Sequence, residues 1–554
     1  MKNKKLKIIP LGGAGEIGKN MTIYEYNEQI IIVDCGIMFP RETMLGVDLI
    51  LPDWEYLEGK EDQVCGLVFT HGHEDHIGAV PYFLHDGFID VPMYATSLTR
   101  GLIEHKLKEH KLLKEAKLNT YQAKDRVRLG PFEVEPIRVN HSIPDAVALA
   151  IHTPVGTVVQ TGDFKFDPTP IDESPTDMAH LARLGSEGVL VLLSDSTGVE
   201  RKGKTESETI VAEALERAFA EAEGRIIVTS FASQLQRVQQ VLWLARRHNR
   251  VVALTGRSMI NYTRIARQVG CLKVPLGVLV TVEEALQKAD DEVVFLATGS
   301  QGEPNAALAR MANNDHRQIE IEDGDTVILS AGAIPGNEES INLIIDKLFR
   351  LGANVIYEAI KQIHVSGHGC QGDLTLMQQL LNPTYVVPVH GEYRHLLLHS
   401  QLAAKLGVPR SNIFVVEDGQ TLLVDKDSVN LGRRVPGGWV FVDGGSVGAV
   451  GSMVIRDREA LSKNGFIVAV VTIDGMTDQP VDQPRLISRG FVFLRHSEEL
   501  FEQAENCILE TLDENEFEMH DIYTLESKIK KALERFFYIK TGRRPMVMPL
   551  VVVI

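Results

Sequence analysis

Three histidines, a glutamate and an aspartate fall within six residues, His71 to His76, in the stretch VFTHGHEDHIGAV that runs from Val68 to Val80. The whole chain of 554 residues holds only 18 histidines. Apolar residues flank the cluster on both sides, which places it at the end of a buried strand. His71 and His73 are two apart and share a face if that segment is extended. Asp75 and His76 follow as the chain turns into a helix expected to start near Ile77. Neutral imidazoles and carboxylates converging from a rigid base are what Zn²⁺ or Mn²⁺ requires. This strand end therefore offers four ligands, His71, His73, Asp75 and His76, half of each site in a metal pair. Two ions roughly 3.5–4 Å apart would bridge and activate a water as nucleophile. Glu74 is left out, because its side chain should point away from its neighbours. The bland reading is a polar loop with incidental histidines.

A metal pair needs more ligands, and strand ends elsewhere supply them: His141 in IRVNHSIPDA, Asp163 in VVQTGDFKFD and His390 in YVVPVHGEYRH. Each follows a β-branched run beside a turn. Alone, such a histidine is usually a satisfied loop residue; beside HxHxDH it completes a site. Asp195 in LLSDSTG either supports that site or caps a turn before Ser196 and Thr197. Two further stretches suit anions. HVSGHG, from His364 to Gly369, combines Ser366 and His368 with Gly367 and Gly369, whose backbone N–H groups can converge on a phosphate. TSFASQLQR places Ser230, Ser233 and Gln234 at a strand-to-helix junction, and helix N-termini attract anions. Simple N-capping by Ser233 is the alternative.

The elements that must position these residues are legible as pattern. Short β-branched runs such as KLKIIPLGG, QIIIVDCG and GVLVLLSDS read as strands, with a helix from Ser97 to about Lys117. From Glu206 a helix (ESETIVAEALERAFAEAE) alternates with buried strands, RIIVTSF, RVVALTG, EVVFLATGS and DTVILSAGA. That rhythm indicates a doubly wound parallel sheet. The histidine-rich strand ends then return, so the α/β unit is inserted into a discontinuous first domain. The expected organisation is a first domain over 1–205 and 361–430, the insertion over 206–360, a linker over 431–455 and an α+β domain over 456–554. In the last, strands (GFIVAVVTID, RLISRGFVFL) precede helices (SEELFEQAENCILETL, LESKIKKALERFFYIKTG).

Bulk properties bound the function. The chain is 44% hydrophobic and 24% charged, ordinary for a globular protein. No apolar run of 18 or more residues supports a membrane span. The N-terminus lacks an h-region, and five scattered cysteines without CxxC fit a reduced cytoplasmic location. The net charge of −18 argues weakly against nucleic acid. Locally, Arg100 to Arg128 holds nine Lys/Arg against four Asp/Glu, a balance of +5. That segment reads as a solvated amphipathic helix or as part of a polyanion surface.

HGHEDH with His141, Asp163 and His390 resembles the metallo-β-lactamase superfamily. The insertion with Asp195, His368 and His390 resembles motifs A, B and C of its β-CASP branch of nucleic-acid nucleases. LGGAGEIGKNM, QTGDFKFD, SFASQLQR, IHVSGHG, VPVHGEYRH and the C-terminal RRP are similar to the bacterial ribonuclease J family, over essentially the whole chain. The resemblance implies an αββα sandwich carrying an inserted β-CASP domain and a small C-terminal domain. It implies two divalent cations, Zn or Mn: His71, His73 and His141 on one, Asp75, His76 and His390 on the other, Asp163 between them. A bridged hydroxide would attack phosphorus in line, with Asp75, Asp195 and His368 as catalytic residues. Ser233, Gln234 and the loop His364, Ser366, Gly367, His368 and Gly369 would hold a 5′-monophosphate, favouring 5′-to-3′ exonucleolysis with additional internal cutting of RNA in maturation and decay. A structural Ca²⁺ near Asp48 and Asp443 is also implied, against two ordinary turn aspartates. So is a homodimer or homotetramer through the C-terminal domain, where SEELFEQAENCILETL offers an amphipathic face, with other RNA-decay proteins as partners. The alternatives are a small-molecule hydrolase on the same fold and an RNA-binding scaffold with a degraded site. The insertion argues against the first and the intact ligand set against the second.

Overall fold

Strands with nearly continuous apolar sequence are buried on both faces, and the run Ile30–Val33 in strand Gln29–Val33 shows why. It lies inside an eight-stranded sheet ordered Val429–Arg434, Gln420–Val424, Leu6–Gly12, Met21–Tyr26, Gln29–Val33, Val64–Val68, Met93–Ala95, Leu118–Thr120. A six-stranded sheet runs Tyr385–Val389, Val189–Asp195, Gly156–Gln160, Val147–Thr153, Phe132–Arg138, Val127–Leu129. Their facing side chains, among them Ile31, Val33 and Val68 against Val134, Leu149, Val158, Val191 and Val387, form one core. Helices Met178–Glu187 and Gln371–Leu381 pack on the second sheet's other face through Leu181, Leu184, Leu374 and Met377. The structure is a computed structural model, and it describes residues 5–334, 336–477, 479–491, 498–513 and 522–554.

The insertion carries six parallel strands in the order Leu279–Val280, Val251–Thr255, Val293–Ala297, Ile226–Thr229, Thr326–Leu329, Asn354–Ile356. The strand order reverses around Ile226–Thr229, so the crevice at the carboxyl ends of the central strands is a natural ligand site. Helices Glu208–Glu221 and Leu235–Arg247 start at or beside those ends.

Two sequence expectations shift locally. The helix expected to reach Lys117 stops at Glu109, where Lys111 adopts a positive φ of 62° and breaks the helix. The helix expected near Ile77 starts at Glu74 with His73 as its N-cap, so Asp75 and His76 lie in its first turn.

Compact units form twice. One runs to Met38 and from Leu51 to Val440; the other is Phe39–Ile50 with Phe441–Ile554. In the second, strand Phe466–Ile473 pairs antiparallel with Arg485–Arg489 and parallel with a last strand, Met546–Val553, that the sequence pattern did not announce. Ile467, Ala469 and Val471 face Ala504, Ile508, Ile529, Leu533 and Phe537 of helices Glu498–Asp513 and Ile522–Thr541. The apolar face of SEELFEQAENCILETL is thus spent inside this unit. Its Ser497 and the strand tail 492–494 lie outside the described residues. A helix, Ser452–Asn464, begins within the stretch read as a linker. Among the described residues no helix is long and apolar enough to cross a membrane.

Leu149 is fully buried between the two sheets of the first unit. Leu149→Ala should cost about 2–5 kcal/mol, transfer plus cavity. A chemical denaturation midpoint unmoved from wild type would contradict this packing.

Candidate metal centre and substrate loop

Parallel pairing in register puts the ends of several strands at one level. Val33 pairs with Val68, Gln160 with Leu193 and Asp195 with Val389. The residues that follow, Asp34, His71, Asp163 and His390, with Asp195 itself, leave their strands at the same edge of the sandwich. His141 joins them because Asn140 bridges to Lys165, two residues after Asp163.

There the side chains converge into overlapping groups: His71, His73, His141 and Asp163; then Asp75, His76, Asp163 and His390; then Asp163, Asp195, His368 and His390. All seven proposed ligands and both further catalytic candidates are brought together. The spacings suit cations. Ligand atoms 2.0–2.1 Å from one tetrahedral ion stand roughly 3.3 Å apart. His73 Nδ1 lies 3.1 Å from both His71 Nε2 and His141 Nε2. Asp163 Oδ2 lies 3.6 Å from His71 Nε2 and 3.7 Å from His141 Nε2. In the second group, His76 Nε2 is 3.3 Å from Asp163 Oδ2 and 3.5 Å from Asp75 Oδ2, and His390 Nε2 is 3.2 Å from Asp75 Oδ2. Asp163 Oδ1, buried, has no hydrogen-bond partner. A set of imidazoles and carboxylates at these separations fits two divalent cations sharing Asp163.

Electrostatics separate the two groups. Burial, with neighbouring imidazoles, holds His71 and His141 well below the usual histidine range and His73 at about 4, so these three keep their lone pairs. Burial acts the same way on His76 and His390, but carboxylates outweigh it. Asp163, Asp75 and Asp34 raise His76 well above its ordinary value, and Asp163, Asp195 and Asp75 raise His390 to about 10. Burial raises Asp163, yet His390, His76 and His71 pull it well below the carboxylate range. Without cations, the carboxylate-rich half retains protons in their place.

Several supporting residues escaped the sequence reading. Asp34 accepts from Thr70 N and Thr70 Oγ1, each at 2.8 Å, and its Oδ2 stands 2.8 Å from His76 Nδ1, which turns Nε2 toward the cluster. It ends the run IIIVD, the same signature that singled out Asp163. Asn20 Nδ2 reaches His76 Nε2 at 3.1 Å and Asp75 Oδ2 at 3.3 Å, a contact no local pattern announces. His390 is held at φ 50° while its N–H donates to Gly13 O at 2.5 Å. Gly13 must lack a side chain, since a Cβ there would lie 2.2 Å from Asn20 Oδ1. Such left-handed residues persist where the surroundings over-determine them. Glu74 points away from the cluster, to Lys106 Nζ at 2.5 Å and Tyr262 OH at 3.4 Å.

The loop 364–369 is tied to the metal groups. His141 Nδ1 donates to Gly367 O at 2.9 Å, His368 Nδ1 lies 2.9 Å from Asp195 Oδ2, and Gly369 N donates to Phe164 O at 2.7 Å. His364 is held near 4 by burial and by Arg237, hence neutral. Helix Leu235–Arg247 has Gln234 at its cap position with no side-chain capping bond, so Ser233 is not its N-cap. Gln234 is buried with both amide atoms unpaired. A cleft of about 630 Å³ opens from Glu74 between helix Ser97–Glu109 and the insertion, lined by Lys106, Arg257, Tyr262, Thr298 and Arg310. In the basic segment, Arg100, Lys106, Lys117, Arg126 and Arg128 are paired with carboxylates, which lowers its pull on a polyanion. Asp48 and Asp443 lie in the second unit. Asp48 Oδ2 accepts from Gly444 N at 2.8 Å, and Asp443 Oδ2 holds Arg458 at 2.5 Å.

Family models match along the chain: the metallo-beta-lactamase superfamily over 14–202, the ribonuclease J beta-CASP domain over 223–348, the Zn-dependent metallo-hydrolase RNA specificity domain over 352–416 and the ribonuclease J C-terminal domain over 453–554. Ribonuclease J2 of Bacillus subtilis is 40% identical over 99% of this chain and 98% of its own length. The chain belongs to the ribonuclease J family. Ribonuclease J 1 of Streptococcus pyogenes is 40% identical over 100% of this chain and 98% of its own, and ribonuclease J of Thermus thermophilus 40% over 99% and 95%. A solved protein of unknown function from Enterococcus faecalis shares the fold, with a TM-score of 0.54, 16% identity, and coverage of 76% of this chain and 100% of its own. This protein is a metal-dependent ribonuclease. The small-molecule alternative falls with the match to the β-CASP and RNA-specificity domains.

Two outcomes follow from this geometry. Asp34→Asn, which removes the charge behind His76, should weaken divalent-cation binding by about 10–100-fold in titration calorimetry; unchanged affinity would remove Asp34 from this role. Cation binding must also displace protons from His76 and His390, so affinity should rise with pH toward about 10. Identical heats in buffers of different ionisation enthalpy would contradict that release.

Proposed function

We propose that this ribonuclease removes nucleotides one at a time from a 5′-monophosphorylated RNA end, 5′ to 3′, and also cuts internally, in cytoplasmic RNA maturation and decay. The observation that carries this reading is the hydrogen bond from His141 Nδ1 to Gly367 O, which fastens an anion-suited loop directly to a metal-group histidine. A phosphate held on that loop stands a short, fixed distance from the cluster, the arrangement needed to measure from an end.

In this reading His71, His73 and His141 hold one cation and Asp75, His76 and His390 the other, with Asp163 shared, and zinc and manganese both suit the donor set. When bound, the cations supply Lewis acidity and an activated water. The chain's own groups do the rest. Asp195 grips His368 through Nδ1, leaving Nε2 to carry a proton to the leaving oxygen. Burial lowers the proton affinity of His368, and Asp195 more than offsets it. Ser233, Gln234, His364, Ser366 and the N–H group of Gly367 receive the 5′ phosphate, while the N–H of Gly369 is already spent on Phe164 O and leaves the expected set. The cleft beside Glu74 receives the rest of the single strand, with Arg257 and Arg310 for its phosphates. A Ca²⁺ at Asp48 and Asp443 would have to displace Arg458 from Asp443.

Self-association belongs to the sheet of the second unit rather than to helix Glu498–Asp513. Its outer face pairs Val468 with Ile487 and Met548, and Val470 with Leu550. Ile487 and Leu550 are each 50% exposed. Leu550→Glu should shift a dimer toward monomer in sedimentation analysis, and an unchanged mass would contradict the assignment.

One RNA prepared with a 5′-monophosphate and with a 5′-triphosphate tests the central reading. Mononucleotide release should be faster from the monophosphate and absent with chelator. Asp75→Ala should lower turnover roughly a thousandfold, several kcal/mol of lost charge stabilisation. Undiminished turnover in that variant, or equal rates on the two ends, would sink it.

A further inference from the structure

Arg201 carries a charge that no carboxylate answers. It begins the exposed stretch RKGK, Arg201 to Lys204, on a chain whose net charge is −18. The adjacent carboxylate, Glu200, is engaged elsewhere, by Arg394 at 3.2 Å and His395 at 3.3 Å. Arg201 Nη2 donates instead to two neutral oxygens, Ser366 Oγ at 2.7 Å and His368 O at 3.3 Å. Among the described residues no acidic side chain pairs with it.

Ser366 makes the arrangement informative. A hydroxyl has one proton to give and two lone pairs to fill. Ser366 Oγ accepts from Arg201 and from His368 N, the latter at 3.0 Å. Both lone pairs are used, so its proton needs an acceptor that the protein does not provide. The remaining guanidinium N–H groups of Arg201 are in the same position. Two donors with a full positive charge beside them, open to solvent, match a phosphate group. The approach is built into the backbone: a Cβ on Gly198 would lie 2.1 Å from Gly369 O and 3.0 Å from Arg201 Nη2. The next two loop residues are fixed to the cluster, Gly367 through His141 and His368 through Asp195.

We propose that Arg201, with the Ser366 hydroxyl, anchors the terminal 5′ phosphate of the RNA and is a specificity-determining residue. This rests on the 5′-end reading above. The terminal phosphate is favoured over the scissile one because Arg201 lies at the exposed rim, whereas the metal groups are buried. A terminal monophosphate also carries about −1.5 to −2 charges, more than a diester, and gains most from an unpaired guanidinium.

The test uses the full-length protein and one RNA sequence with either a 5′-monophosphate or a 5′-hydroxyl. Arg201→Gln should raise KM for the monophosphate RNA and lower its kcat/KM by about tenfold or more, the size expected of one charge-assisted contact. The ratio of kcat/KM between the two RNAs should fall toward one, and Arg201→Lys should recover part of it. A parallel measurement reads binding without catalysis: fluorescence anisotropy of both RNAs on chelator-treated protein, where wild type should favour the phosphorylated end and Arg201→Gln should not. Equal losses on both RNAs, or an unchanged ratio, would overturn the anchor. If wild type cleaves neither RNA with any metal, the proposed function falls. The anisotropy arm then decides Arg201 alone: no preference for the phosphorylated end in wild type overturns it.

Discussion

Asp163 is a buried carboxylate with four imidazoles within 3.7 Å. A lone charge at that depth would cost many kcal/mol, and its neighbours exist to make it tenable. The raised proton affinity of His76 and His390 balances it. The rest of the site follows from this constraint. Asp34 orients His76, Thr197 Oγ1 donates to His390 O while Gly13 O accepts from His390 N, and the loop at Gly367 holds His141.

The sandwich serves this convergence. Parallel strands in register deliver Asp34, His71, Asp163, Asp195 and His390 to one edge, so a slip of one residue would turn each side chain to the other face. The insertion then adds what a plain hydrolase lacks. The returning loop carries Ser366, Gly367 and His368 against the metal groups, and Arg201, just before the insertion, donates to that loop. The loop His364 to Gly369 is thereby tied to His141 through Gly367 and to Asp195 through His368.

Much of this was legible because strand ends have a signature: a β-branched run that stops on a ligating residue. His71, Asp163, Asp195 and His390 all carry it, and the βα rhythm of the insertion is as plain. Asp34 bears the same mark and was passed over, since a lone aspartate beside a turn carries no histidine to draw attention. The basic segment from Arg100 to Arg128 left two readings open in the sequence, because several of the carboxylates that pair with it, Glu74, Asp90, Glu133 and Glu135, lie outside it.

The sequence by itself determined which groups could hold metal, because residue type and spacing set donor chemistry before any folding. Periodicity also marked the doubly wound α/β unit inserted into a discontinuous first domain, and the resemblance to a known family supplied the sandwich. Only the tertiary structure decided which donor groups come within reach of one another, which histidines are pushed toward their protonated form, and which charges end unpaired. Those depend on distances between residues tens to hundreds of positions apart: Asn20 with His76, His141 with Gly367, Arg201 with Ser366. No local pattern encodes such pairings, since they arise when separate strands are brought into register and water is excluded from between them.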